Sequence, residues 1–179
     1  PFYFFLSVWG ESYRKYFSEF CLPSLLSPGI IPSLPQGRHK LLIACPQCDW
    51  RSLEVHPAIV EVRKYLVVEH IDIPEIGEQD VPTLHMGLGH KLATIKCFED
   101  AAFGVALSPD LIMSDGAIRF GQEKAKLGNA IVFVPALRFE EYTLINNLNE
   151  WLARNQQSEQ NVISIPPREL LTISLFALH

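Results

Sequence analysis

The sequence predicts an α/β domain in which a mostly parallel sheet carries helices on both faces. Several short runs are apolar without polar alternation, which is the pattern of strands covered on both sides. Between these runs lie stretches whose apolar residues recur at helical spacing, so strand and helix alternate along the chain. A chain of 179 residues, 48% of them hydrophobic, is long enough to bury a core of this kind.

The individual elements follow from these two patterns. Branched and aromatic residues predict five strands: Phe2–Trp9, Lys40–Ala44, Tyr65–Ile73, Phe103–Leu107 and Asn129–Val134. Helical spacing predicts the helices between and after them: Glu11–Phe20 with a ragged continuation across Pro23 to Leu26, a stretch to about Lys64, Leu88–Ala102, Ala117–Leu127 and Glu140–Arg154. Parallel strands need such crossover connections, which supports the predicted sheet.

The predicted domain spans residues 1–154. The polar run Asn155–Asn161 predicts a linker, and Pro166-Pro167 predicts the start of a last helix, Arg168–Leu178, which we expect to pack on the domain. The chain starts at Pro1 rather than Met and ends on an apolar run. We therefore expect it to be one piece of a longer multidomain chain.

Charge and cysteine usage exclude several classes of partner. The net charge is −5, and no segment combines Lys and Arg with aromatic residues, so we expect no nucleic-acid partner. The longest apolar runs are far shorter than the roughly 20 residues that span a bilayer, so we expect no membrane span. Four cysteines, at positions 21, 45, 48 and 97, do not form the framework of a small secreted scaffold. A reducing compartment, the cytoplasm, is therefore expected.

Function in parallel sheets gathers at the carboxyl ends of the strands, where loops meet in a crevice. Four segments of the predicted fold lie there: Trp9–Tyr13, Cys45–Trp50, Asp72–His90 and Ser108–Gly116. Candidate functional residues are therefore sought in these loops.

A cysteine pair follows the second predicted strand. Cys45-Pro-Gln-Cys48 resembles the motif of thioredoxins, in which a helix start lowers the pKa of one thiol and the second resolves a mixed disulfide. Val81-Pro-Thr-Leu84 is similar to the proline loop that faces that pair. The two further strand–helix units predicted between Ala102 and Arg154 do not suit a thioredoxin. This function stays an alternative beside two incidental buried cysteines.

The most informative segment is Ser108-Pro109-Asp110, which ends the fourth predicted strand. A carboxylate at this place can hold a divalent cation that neutralises the phosphates of a leaving nucleotide. The segment resembles the Asp-x-Asp motif of glycosyltransferases of the GT-A fold, which are Rossmann-like. Asp110 matches the second acidic position, whereas Ser108 stands at the first. The resemblance implies a metal, Mn²⁺ or Mg²⁺, bound by Asp110, and Ser108 near the nucleotide sugar.

Other segments extend this resemblance. Gly89-His90-Lys91-Leu-Ala93 resembles the entry to the helix that precedes the acidic motif, which implies that His90 and Lys91 face a diphosphate. Val8-Trp9-Gly10 is similar to the first strand end of uncharacterised bacterial glycosyltransferase-like proteins, some of them attached to helical repeats, and implies a donor-site role for Trp9. Segments Leu107–Gly116 and Pro167–Leu170 also resemble those proteins.

Three more residues complete the predicted site. Asp49 lies where GT-A enzymes carry an acidic residue near the base or ribose, although a helix cap explains it equally well. His179 is a candidate metal ligand, since many of these enzymes take one from a late histidine. Asp115 is the predicted catalytic carboxylate, with turn formation before Gly116 as the alternative.

The sequence thus predicts a glycosyltransferase-like domain that moves a sugar from a nucleotide-sugar donor to a glycan or another acceptor. The alternatives are a thioredoxin-like oxidoreductase using Cys45 and Cys48, and a non-catalytic binding domain of the same fold.

Overall fold

One parallel sheet lies at the centre of the first part of the chain. The computed structural model describes residues 1–134, 138–155 and 161–178. Its strands are β1 Phe2–Ser7, β2 Lys40–Cys45, β3 Val67–Asp72 and β4 Phe103–Ala106. They lie in the order β3-β2-β1-β4, and all three neighbouring pairs are parallel. The predicted α/β class with a parallel sheet is confirmed.

Helices connect and follow these strands. Their bounds are α1 Glu11–Tyr16, α2 Leu22–Leu25, α3 Gln47–Leu53, α4 Pro57–Val62, α5 Pro82–Glu99, α6 Ala117–Lys126, α7 Glu141–Arg154 and α8 Pro167–Leu175. A π-helical turn, Phe17–Cys21, joins α1 to α2, and a 3₁₀ turn covers Ile31–Ser33. Pro23 has no N–H to donate to the carbonyl four residues earlier, which explains the irregular turn at this place.

The chain divides into two compact units. The first comprises Pro1–Leu22 and Pro35–Ile112, and contains the sheet with α1, α3, α4 and α5. The second comprises Pro23–Leu34 and the chain from Met113 onward, and contains α6, α7 and α8. These units do not follow the expected boundary at residue 154, and the packing of the last helix on residues 1–154 stays a prediction.

The core of the first unit forms where α5 covers one face of the sheet. It consists of buried residues from β1, β2 and β3, from the position just after β3 and from the inner side of α5: Tyr3, Phe5, Leu42, Ala44, Ile71, Ile73, Ala93 and Cys97. Alternate strand residues point to the other face. Four of these, Phe4, Leu6, Leu41 and Ile43, are at most 1% exposed. Both faces of β1 and β2 are therefore covered, which accounts for their continuously apolar sequences. Most residues of β3 and β4 are exposed or half-buried.

Gly89 sets the distance between α5 and the sheet. A Cβ at this position would lie 2.6 Å from the Cβ of Ala44 and would also collide with the Ser7 hydroxyl. The same hydroxyl donates a hydrogen bond to the carbonyl of Met86, at 3.0 Å. A larger residue at position 89 would force α5 away from β1 and β2.

The start of α5 corrects the sequence prediction. The helix predicted to begin at Leu88 begins at Pro82 instead, so Gly89 lies in its middle. Pro82 takes the first helical position, where its missing N–H costs nothing. Gly87 and Gly89 both lie inside α5, because the packing of the helix on the sheet outweighs their low helical propensity.

The predicted fifth strand is also wrong. Residues 129–134 form no strand, and Ile131, Phe133 and Val134 are mostly exposed. Branched and aromatic residues favour a strand only where a neighbouring strand and a packed face receive them. Within the part of the chain that the structure describes, β4 pairs with β1 and with no strand on its other side.

The end of α5 is a Schellman motif without glycine. The N–H of Ala102 donates to the carbonyl of Cys97, and that of Ala101 to the carbonyl of Phe98. Ala101 has φ 48°, in the left-handed region that glycine normally takes. The preceding residue, Asp100, accepts hydrogen bonds from the Tyr3 hydroxyl, at 2.6 Å, and from Lys40 Nζ, at 3.1 Å. The turn from α5 to β4 is therefore fastened to the amino ends of β1 and β2.

In the second unit, backbone and side-chain hydrogen bonds join three separate segments. The N–H of Asp115 donates to the carbonyl of Ile165, the N–H of Ile163 to the carbonyl of Pro23, and the N–H of Met113 to the Ser24 hydroxyl.

None of the helices in the described residues combines the length and the apolar character that a membrane crossing needs.

Two glycines of α5 provide a matched test of this packing. Gly87→Ala should raise the free energy of unfolding by about 0.5–1 kcal/mol, because nothing lies within 4 Å of the added Cβ and alanine is the better helix former. Gly89→Ala should lower it by about 1–3 kcal/mol, because the added methyl overpacks the contact with β1 and β2. Urea unfolding of the two variants measures both changes. Equal effects at both positions would contradict the close approach at Gly89.

Candidate functional site

The candidate site lies at the carboxyl edge of the sheet, between β1 and β4. From β1 the chain adds β2 and β3 in succession on one side, and it then returns to place β4 on the other. Such a reversal of strand order opens a crevice at the carboxyl ends of the two strands that flank it, here β1 and the edge strand β4. Phe5 pairs with Ala106, and the N–H of Leu107 donates to the Phe5 carbonyl. The loops that begin at Val8 and Leu107 therefore leave adjacent strands at the same edge.

Asp49 holds the loop after β1 in place. Its Oδ2 accepts a hydrogen bond from the Gly10 N–H at 3.2 Å, and its Oδ1 lies 2.9 Å from Arg14 Nε. The residue is 8% exposed, and the start of α3 receives no side-chain cap. The helix-cap interpretation of Asp49 is wrong, because both carboxylate oxygens face the β1–α1 loop instead. A partly buried carboxylate with a cationic partner is well satisfied there.

Trp9 meets a histidine that the sequence analysis did not select. The ring of His85, from the first turn of α5, lies edge-on to the Trp9 indole with centroids 4.8 Å apart. His85 is 8% exposed, and its Nε2 has no hydrogen-bond partner among the described residues. Arg14 was missed as well. In the sequence, Arg14 lies four residues after Gly10, and His85 lies three residues after Pro82. Neither spacing distinguishes a site residue from a packing residue.

Ser108 and Asp110 form a local turn after β4. The Ser108 hydroxyl donates a hydrogen bond to the Asp110 carboxylate, and the Leu111 N–H donates to the Ser108 carbonyl. Both site residues are exposed, whereas Pro109 between them is buried. The turn therefore presents one carboxylate and one hydroxyl at the edge of the crevice.

Metal binding by Asp110 and His179 stays a prediction. Over residues 1–134, 138–155 and 161–178, no three His, Cys, Asp or Glu side chains converge as a metal would need. The hydroxyl of Ser108, at the first acidic position of the motif, is turned onto Asp110. The other predicted ligand, His179, lies outside the described residues.

His90 and Lys91 do not occupy a helix start. The prediction that they line a helix N-terminus is wrong, because α5 begins at Pro82 and both residues lie in its middle. The His90 ring packs edge-on against Phe5 of the sheet, with centroids 5.5 Å apart. Desolvation lowers the pKa of His90, which favours the neutral ring. Lys91 is exposed.

Asp115 belongs to the second unit and makes internal hydrogen bonds. Its Oδ1 accepts from the Ser27 hydroxyl at 2.5 Å and from the Gly29 N–H at 2.6 Å. The next residue, Gly116, has φ 81° and precedes α6, a conformation that glycine adopts readily. These contacts account for Asp115 as a residue that joins two loops, and its catalytic role stays a prediction.

Two substitutions separate these roles of Asp115. Asp115→Ala should lower the free energy of unfolding by about 1–3 kcal/mol, because the Ser27 hydroxyl and the Gly29 N–H lose their acceptor. Asp115→Asn keeps an amide oxygen for both donors and should melt within a few degrees of the unchanged protein. Thermal unfolding measures both variants. A normal melt of Asp115→Ala would contradict the joining role.

The cysteine pair has the wrong environment for a reactive dithiol. Burial and the negative charges of Asp49 and Asp72 raise the pKa of Cys45 to about 12. Cys48 is exposed, and desolvation together with a hydrogen bond to Glu75 raises its pKa. Both shifts disfavour the thiolate, which is the reactive form. In addition, Val81-Pro-Thr-Leu84 does not form a separate loop, because α5 begins at Pro82.

Thiol reactivity should follow these shifts. At pH 6, iodoacetamide should modify neither Cys45 nor Cys48 within minutes, because a pKa above the ordinary range leaves almost no thiolate at that pH. Raising the pH should accelerate modification of Cys48 first, since only Cys48 of the pair is exposed. Peptide mass spectrometry identifies the modified residue. Rapid alkylation at pH 6 that disappears in Cys45→Ser would instead support the oxidoreductase.

Comparison of the chain with models of known protein families, with curated proteins and with solved structures gives no match. The functional interpretation therefore rests on the geometry at the carboxyl edge and on the sequence motifs that lie there.

Proposed function

We propose that the chain is a glycosyltransferase-like domain that binds a nucleotide-sugar donor at the carboxyl edge of its sheet and transfers the sugar to a glycan or another acceptor. One observation carries the proposal. β1 and β4 are parallel neighbours at the point where strand order reverses, and their loops bear Trp9 and the turn Ser108–Asp110. Crevices at such points are where open α/β sheets bind nucleotides.

The side chains at this edge suit such a donor. Trp9 is partly exposed and offers an aromatic surface to a base or sugar ring. Asp49 anchors the Gly10 N–H and Arg14, so that the loop carrying Trp9 is fixed before a ligand arrives. In this proposal Asp49 acts on the nucleotide through that loop, because its own oxygens are already engaged.

The turn after β4 supplies the polar groups of the proposed reaction site. The Asp110 carboxylate and the Ser108 hydroxyl can accept hydrogen bonds from sugar hydroxyls. A carboxylate repels a diphosphate that carries no cation. In this proposal the donor therefore binds together with a divalent cation, Mn²⁺ or Mg²⁺. During transfer an acceptor hydroxyl attacks the anomeric carbon and the nucleotide diphosphate leaves. The protein contributes by positioning the two substrates.

Two alternatives have less support. The dithiol reaction is disfavoured by the buried Cys45 and by the raised pKa of both thiols. A non-catalytic domain would bind the donor at the same edge without turning it over. Ligand binding and turnover therefore have to be measured separately.

Nucleotide binding is tested by thermal shift. At 1 mM, a uridine, guanosine or cytidine diphosphate with Mn²⁺ should stabilise the protein by about 1.4 kcal/mol if its dissociation constant is about 0.1 mM. For a chain of this size the melting temperature should rise by roughly 3–5 °C. Asp110→Ala should remove the shift. Glu123→Ala, which deletes an exposed carboxylate on α6, should retain it.

The same experiment decides between the functions. No shift with any nucleotide, with Mn²⁺ or with EDTA, would overturn the donor site. A shift that survives Asp110→Ala would remove the turn after β4 from it. Donor hydrolysis, followed by chromatography, then distinguishes a transferase from a binding domain. In that assay Asp115→Asn tests the predicted catalytic carboxylate, since lost turnover with a normal melt would support it.

A further inference from the structure

The outer side of α5 carries an apolar stripe that the rest of the first unit leaves exposed. Its members are Leu84, Leu88, Ile95 and Phe98, with Lys91 at the centre. Leu84 and Phe98 are 72% and 86% exposed, and Leu88 and Ile95 are 37% and 43% exposed. The spacings from position 84 are four, three, four and three residues, which is the a/d repeat of packed helices.

This stripe lies opposite the side of α5 that packs on the sheet. The inner side is formed by His85, Gly89, Ala93 and Cys97, all buried. At 100° per residue, the stripe is centred about half a turn away from those positions. A helix that is apolar on two opposite sides is typical of a helix covered on both. Contiguous exposed apolar surface is a feature of sites that bind other proteins.

Lys91 determines what kind of helix fits. No carboxylate of residues 1–134, 138–155 and 161–178 pairs with Lys91. It is the middle member of the stripe, so a second copy of α5 would face it with its own Lys91 in either a parallel or a centred antiparallel arrangement. Like charges at such a position destabilise a helix pair, whereas an acidic residue stabilises it. The charge therefore disfavours self-association in these two arrangements, which are the ones that would bury the whole stripe.

We propose that the stripe Leu84–Phe98 docks an amphipathic helix of a partner polypeptide that presents a Glu or Asp between apolar a/d residues. Leu88 and Ile95 would supply the central apolar contacts and Lys91 the charge that selects the partner. The stripe lies on the side of α5 that faces away from the sheet, and it shares no residue with the candidate site at the carboxyl edge. It does not depend on the proposed donor binding.

The test uses two synthetic three-heptad peptides with leucine at the a/d positions and either Glu or Lys at the central d position. Fluorescence anisotropy is measured at concentrations at which each peptide alone sediments as a monomer. The unchanged protein should bind the Glu peptide about threefold to tenfold more tightly than the Lys peptide. Lys91→Glu should reverse this preference, and Ile95→Glu should weaken both peptides at least tenfold. Circular dichroism checks that the variants remain folded.

A control variant tests whether the peptides bind to exposed apolar side chains outside the stripe. Leu127→Glu changes an exposed leucine at the end of α6, 75% exposed, and should leave both affinities unchanged. Four results would each overturn the proposal: neither peptide binds; the preference is unaffected by Lys91→Glu; Leu127→Glu weakens binding as much as Ile95→Glu; or the protein forms a dimer that Ile95→Glu dissociates. Binding to phosphatidylcholine–phosphatidylserine vesicles that Ile95→Glu abolishes would also overturn it, by assigning the stripe to a lipid surface.

Discussion

The close approach of α5 to the sheet is the contact on which the first unit depends. Gly89 and the small side chain of Ala93 let the helix lie against β1 and β2, where Ser7 and Ala44 would collide with anything larger at position 89. Protein interiors are packed too densely for such a contact to adjust by small shifts. Because this contact fixes α5 against β1 and β2, it also fixes the positions of the other α5 side chains.

The candidate site follows from that contact. With Gly89 against the strands, the first turn of α5 reaches the carboxyl edge of the sheet, and His85 meets Trp9 there. The loop that carries Trp9 is held from the other side by the Asp49 carboxylate through the Gly10 N–H. A flexible strand end is thus fixed by one ring contact and one hydrogen-bonded carboxylate. Functional loops are most effective when rigid elements position them in this way.

The four strands of the sheet could be predicted from the sequence, but the arrangement of the side chains in the site could not. The four predicted strands that correspond to β1, β2, β3 and β4 agree with the structure to within two residues, because their apolar runs are bounded by clear breaks. Residues 129–134 carry the same pattern without being a strand, since pairing depends on a neighbour that local sequence does not specify. The direction of the Asp49 carboxylate depends on the loop conformation after β1, which no spacing rule gives. Likewise, a histidine such as His85 on the buried side of a helix has no sequence feature that distinguishes a site residue from a core residue.

The glycine-free stop of α5 has a consequence for how this chain tolerates change in length. Only Asp100, Ala101 and Ala102 separate α5 from β4, and Asp100 is bonded to Tyr3 and Lys40. One inserted residue would either break those bonds or move β4 by one step along β1, which reverses the faces of all its side chains. Most surface connections absorb insertions readily. This one acts as a fixed spacer, so natural length variation in chains of this type belongs in other connections.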